Sequence, residues 1–199
     1  MVCARLRRYR FSLVSDHSRE GATMSFVSKI SEEQAGPELK PLYEQIREHY
    51  GFLPNYFQAL GPAPQVIERH RDFANVVLRA GALPATLKEQ IMVVVSGINS
   101  SSYCVAAHME LLRRLGVEKQ LGRKLATDYG TAPVGNREMA LFRFADKLTR
   151  NPSDIERADA EAVFQAGWDE AALVEIVLTV AWANFVNRVA FGLGLFADF

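Results

Sequence analysis

The sequence predicts an all-α fold, a helical bundle built around a central antiparallel hairpin. Two observations carry this reading. From Glu38 onward apolar residues recur at helical rather than alternating spacing, and Gly and Pro punctuate them where helices stop and start. No alternating stretch flanked by turn chemistry competes as a strand, although "IMVVV" at 91–95 would pass for one in isolation.

Taken in order, "ELKPLYEQIREHYG" sets Leu39, Leu42, Tyr43 and Ile46 on one helical face, with Gly51 as the stop. "FLPNYFQAL" reads as a short aromatic turn or helix closed by the breakers "GPAP". "QVIERHRDFANVVLRAGAL" repeats apolar residues at Val66, Phe73, Val77 and Leu78, and Pro84 then falls near the first turn of the next helix. That helix, "ATLKEQIMVVVSGINS", is apolar enough to be central and buried. "YCVAAHMELLRRLG" follows a serine cluster and stops at Gly116. Helices over 84–100 and 102–115 therefore form the hairpin. Three more are expected over about 118–129, 136–150 and 156–166, before a long last helix that begins at an Asp cap in "DEAALVEIVLTVAWANFVNRVAFGLG".

The chain's 199 residues suffice for one domain with a sizeable core. Its 49% hydrophobic and 23% charged residues, with 23 Lys and Arg against 23 Asp and Glu, lie near the average for soluble proteins. Nothing in that balance points to nucleic acid or to an anionic membrane surface. Two cysteines, Cys3 and Cys104, make no disulfide framework, so a reducing, cytoplasmic setting is the default. A membrane span needs roughly 18 or more apolar residues, and polar residues interrupt the longest candidates: Ser96 and Asn99 in one, Asn184, Asn187 and Arg188 in the other. Residues 1–23 carry five arginines against Asp16 and Glu20, a net of +3 that leaves −3 for the remainder. "MSFVSKISEEQ" reads as an ordinary beginning at Met24. Residues 1–23 are accordingly expected to be a disordered extension, and 24–199 a single domain with its core over about 62–150.

The chemistry concentrates in "NSSSYCVAAH", residues 99–108. Cys104 falls in the first turn of its helix, where free N–H groups and the helix dipole favour thiolate over thiol. His108, four residues on, shares its face and can take the thiol proton directly or through a water. Glu89, on the preceding helix, is a candidate third member whose pKa burial would raise, making it an orienting base in a relay. Lys88 and Gln90 flank it, and helical phase decides which of the three points inward. Plainer readings stand beside these: Cys104 as a small buried hydrophobe, His108 as a satisfied interior histidine, Glu89 as a surface residue. The same three side chains are also ligand types that zinc accepts, without a recognised structural-zinc spacing. "ERHRD" at 68–72 reads as a solvated helix face with no special weight on His70. Asn184, Asn187 and Arg188 read as polar contacts at a subunit interface or at helix ends. "GLGLF" lacks the context of a phosphate loop.

Together these residues resemble the alkylhydroperoxidase D-like group of the carboxymuconolactone decarboxylase family, in its peroxidase-related subgroup. The signature there is a glutamate, eleven residues, then Cys-x-x-Cys-x-x-x-His. Glu89, Cys104 and His108 match it without a gap, and Ser101 stands where the first cysteine belongs. The resemblance also takes in "PELKPLYEQIREHYGFLPNYFQAL" and "EIVLTVAWANFVNRVAFGLGL", and covers roughly 25–195. It implies an all-α domain assembled as a homo-oligomer, commonly a trimer or hexamer, with no cofactor or metal. The implied substrate is hydrogen peroxide or an organic hydroperoxide. Cys104 would be the attacking cysteine, with His108 as base, Glu89 as relay, and Tyr103 a polar group available for proton transfer. Ser101 cannot close a disulfide with a Cys104 sulfenic acid, so turnover would need an external thiol or a protein reductant. A Ser101 hydroxyl donating to Cys104 would lower its pKa. Two alternatives remain: a redox-inactive binding or sensing oligomer, and a cysteine-independent decarboxylase or isomerase like the family's namesake.

Overall fold

The computed structural model describes residues 25–197. The expectations for residues 1–23, including Cys3, lie outside the described residues. In chain order the helices are α1 (Lys40–Tyr50), α2 (Asn55–Ala59), α3 (Pro64–Arg79), α4 (Ala85–Ile98), α5 (Ser102–Arg114), α6 (Lys119–Asp128), α7 (Asn136–Arg150), α8 (Arg157–Gln165) and α9 (Glu170–Gly192). Short 3₁₀ turns follow α6 and α7, and there is no strand among the described residues.

The boundaries follow from local chemistry. Gly51 takes a left-handed conformation (φ 81°) and returns its N–H to the Arg47 carbonyl, ending α1. Pro64 opens α3 within its first two positions. Asp169 caps α9 by accepting from the Ala172 N–H at 2.8 Å. Glu156 and Asp159 cap α8 reciprocally.

Helix α4 is the hub, packed against α5, α6, α7 and α9. Five consecutive residues, Ile91 to Val95, are at most 1% exposed, so every side of this helix is covered. Its polar residues are buried as well. Lys88 donates to the carbonyls of Val77 (2.8 Å) and Ala80 and sits 2.9 Å from the Glu175 carboxylate. That carboxylate also accepts from the N–H groups of Ala82 (2.5 Å) and Leu83 (2.9 Å). The clamp ties the α3–α4 turn to α9.

Two expectations need correction. In α3 the inward stripe is Ile67, Val77 and Leu78, while Val66 and Phe73 face outward, Phe73 being 48% exposed. The helix has apolar residues on two sides, and packing on α4 and α9 selects the other one. Helix α9, despite Asn184, Asn187 and Arg188, is long and apolar enough by length and composition to cross a membrane. In the bundle one side of it is buried, with Ile176, Thr179, Val180, Ala183 and Ala190 in the core, while Val174, Val177, Leu178, Phe185 and Phe191 stay exposed.

Where α4 meets α6, the backbones approach so closely that a Cβ on Gly97 would overlap the Ala126 carbonyl. Replacing a helical glycine with alanine normally gains about 1 kcal/mol, but forced displacement of packed backbone costs about 1–3 kcal/mol. Gly97→Ala is therefore expected to lower the denaturation midpoint, measured by urea titration. Gly192→Ala, with open space beside it, is expected to leave the midpoint unchanged or raise it.

Candidate active site

Helices α4 and α5 are joined by three residues, with Ser100 in a left-handed conformation (φ 59°). They pack so that Glu89, fully buried, meets His108. Glu89 Oε2 lies 2.7 Å from His108 Nδ1, and Oε1 lies 2.9 Å from the Arg79 guanidinium arriving from α3. The Arg79 contact is an ion pair off the hydrogen-bond line.

Burial works to raise the Glu89 pKa, but His108 and Arg79 outweigh it and hold the carboxyl below its ordinary value. This reverses the sequence expectation. Glu89 is a carboxylate, able only to accept, so the His108 proton shared with it resides on Nδ1. In the neutral ring Nε2 is then left bare, the arrangement a general base requires. Helical phase also resolves differently from a single inward choice: Lys88 and Glu89 are both buried, and Gln90 is half-buried.

Cys104 is 3% exposed and is the free cysteine among the described residues. Burial pushes its thiol up from the ordinary value, and hydrogen bonds from Ser101 and Asn187 only partly offset this. The expected dominance of the helix terminus is thus corrected. Desolvation wins, and the resting group is a thiol. The Ser101 contact does act in the direction expected of it. Tyr103 is buried, and its hydroxyl accepts from the Tyr56 N–H at 3.2 Å, pinning α2 to α5.

Cys104 and His108 line a cavity of about 100 Å³, shared with Arg79, Tyr103 and an aromatic wall that includes Tyr50, Phe57 and Trp182. By volume it holds several waters or a small organic group. Among the described residues no three His, Cys, Asp or Glu side chains are grouped to hold a metal ion, so Glu89, Cys104 and His108 do not form the zinc set considered from sequence. Glu89 is already engaged by Arg79 and His108.

Sequence reasoning missed three participants. Asn187 was taken for an interface or helix-end contact. It is 1% exposed, donates to Ser96 Oγ at 3.0 Å, accepts from Asn99 at 2.9 Å, and reaches Cys104. Arg79 carried no motif. His70 was assigned to a solvated face, but its ring packs on Trp182 (centroids 4.5 Å), Tyr56 and Phe57 and borders the cavity. A single inward position within a charged run is the only sequence signal it offered.

Residues 64–147 match the family model described as the carboxymuconolactone decarboxylase family. The fold is similar to that of an uncharacterized peroxidase-related protein from Silicibacter sp. TM1040, at 26% identity over 93% of this chain and 96% of that one, with a TM-score of 0.81. It is also similar to an uncharacterized peroxidase-related protein from Ralstonia eutropha JMP134, described as an alkylhydroperoxidase AhpD core, at 23% identity, 87% and 92% coverage, and a TM-score of 0.81. The debrominase Bmp8 shares the fold at 21% identity, 87% and 92% coverage, and a TM-score of 0.74. No curated protein sequence matches the chain.

Burial holds the His70 pKa down at about 4, from 6.5. Between those values the unfolded chain binds more protons than the folded one, so stability falls as pH falls through this window and levels off below about 4. The loss amounts to roughly 3 kcal/mol. Urea titrations at successive pH values are expected to show this slope in the wild type, and His70→Phe is expected to remove most of it.

Proposed function

We propose that the chain is a thiol-dependent peroxidase acting on hydrogen peroxide or organic hydroperoxides, a reading supported by the match of residues 64–147 to the carboxymuconolactone decarboxylase family model, by the similarity to peroxidase-related proteins and by the site geometry. The observation that carries the reading is one cavity that brings a buried cysteine together with a histidine whose far nitrogen is tied to a carboxylate. The α4–α5 pair, read as the antiparallel hairpin, delivers Glu89 opposite His108.

His108 Nε2 takes the Cys104 proton, directly or through a cavity water, and Glu89 stabilises the imidazolium that forms. Ser101 and Asn187 hydrogen-bond the thiolate. The thiolate attacks the terminal peroxide oxygen, giving a sulfenic acid on Cys104 and releasing water or an alcohol. An external thiol, free or on a protein, condenses with the sulfenic acid and a second thiol restores Cys104. Outward-facing Phe73 and Val76 on α3, with Val174, Val177, Leu178 and Phe185 on α9, support a homo-oligomer, which the family resemblance makes a trimer or hexamer. The setting proposed is a reducing cytoplasm, and the unit a single domain.

The raised thiol pKa and the serine at 101 favour a second reading, in which the scaffold binds a small molecule in the same cavity without redox chemistry. Intact-mass spectrometry separates the two. After one equivalent of hydroperoxide with dimedone present, the peroxidase reading expects an adduct that Cys104→Ser abolishes. An unreactive Cys104 leaves the binding reading.

Ser101→Cys places a second thiol within reach of Cys104. The expected result is an intramolecular disulfide after peroxide treatment, seen as loss of two hydrogens by mass and turnover supported by a dithiol. Persistence of the dimedone adduct in that variant would contradict the assigned geometry.

A further inference from the structure

The Tyr56 hydroxyl and His70 Nδ1 are buried polar atoms with no hydrogen-bond partner, and both residues line the Cys104 cavity. Tyr56 is 5% exposed. An orphaned hydroxyl at such depth is destabilising, so a ligand that supplies its partner explains why it stays there. The ring is fixed on several sides. It stacks on Tyr103 with centroids 6.4 Å apart, meets Phe57 edge-on at 5.5 Å, and has its own backbone N–H anchored by the Tyr103 hydroxyl. Burial first, then the charges that Cys104, Tyr103 and Tyr50 would carry if ionised, keep Tyr56 a neutral phenol, that is, a donor. The rest of the wall, with Tyr50, Phe57 and Trp182, is aromatic.

We propose that Tyr56 donates the proton to the leaving oxygen when Cys104 opens an organic hydroperoxide whose apolar group lies against Tyr50, Phe57 and Trp182. This rests on the peroxidase reading and adds the residue that handles the leaving group. Cys104 sulfur bonds to the terminal oxygen, which keeps its hydrogen, as the O–O bond breaks. Sulfur loses two electrons and becomes sulfenic acid, while the other oxygen takes the electron pair and a proton from Tyr56 and departs as an alcohol. The proton that His108 removed from Cys104 then returns to the tyrosinate.

The test compares peroxides that differ in their need for a donor. Cumene hydroperoxide expels a strongly basic alkoxide, and a peroxybenzoic acid expels a weakly basic carboxylate. Stopped-flow rates of Cys104 oxidation are measured for each, with Tyr56→Phe beside the wild type. The cumene hydroperoxide rate constant is expected to fall ~100-fold in the variant, and the peracid rate to stay within a few-fold. Equal falls for both peroxides, or no fall for either, overturn the role of Tyr56 while leaving the peroxidase reading intact. A wild type unreactive toward both overturns the peroxidase reading and this proposal with it. If Tyr56→Phe does not fold, a fluorotyrosine at position 56, which keeps ring and hydroxyl but acidifies the phenol, serves instead. It is expected to change the alkyl hydroperoxide rate and not the peracid rate, and no change in either overturns the proposal.

Discussion

Everything at the site depends on one buried carboxylate. Glu89 sits in the middle of a bundle, fully shielded from water, and an isolated charge there is prohibitive. It is tolerated because Arg79 from α3 and His108 from α5 converge on its two oxygens. The same convergence fixes the imidazole tautomer and joins three helices at the cavity wall. Removal of either partner would leave a charge that the interior cannot solvate, so the arrangement is structural and chemical at once.

The bundle is organised to hold that carboxylate still. Helix α4 is covered on all sides, which leaves it no freedom to rotate Glu89 toward solvent. Its first turn is tied to α3 and α9 through Lys88 and Glu175, and its last turns press on α6 at Gly97. The Asn99–Asn187–Ser96 hydrogen bonds close the opposite end beside Cys104. In the proposed peroxidase such a frame would hold His108 and Cys104 in the relative placement on which the rate depends.

Much of this was legible in the sequence, for local reasons. Helical periodicity and Gly or Pro punctuation are short-range signals, and they give the helix order with ends displaced by a residue or two. The spacing of Glu89, Cys104 and His108 is also short-range, because all three lie on two consecutive helices. What was not legible comes from elsewhere in the chain. Asn187 arrives from α9, Arg79 and His70 from α3, and Tyr56 from α2; no spacing rule links them to Cys104. His70 was misread because its charged neighbours dominate the window, although one inward residue per turn suffices to reach the core. The pKa directions of Glu89 and Cys104 were inverted for a related reason. Each is a balance between burial and partners, and those partners are known only once the fold is known.

Burial keeps Cys104 a thiol, so in the proposed mechanism the chemistry begins with a proton transfer to His108, which lines the same cavity, rather than from a standing thiolate. The most direct test is the tautomer of His108, read by long-range proton–nitrogen correlation NMR on histidine-labelled protein. The account predicts a protonated Nδ1 and a bare Nε2 in the neutral ring, with the preference lost in Glu89→Gln. A proton found on Nε2 in the wild type would contradict it, because the imidazole would then have no lone pair to offer Cys104.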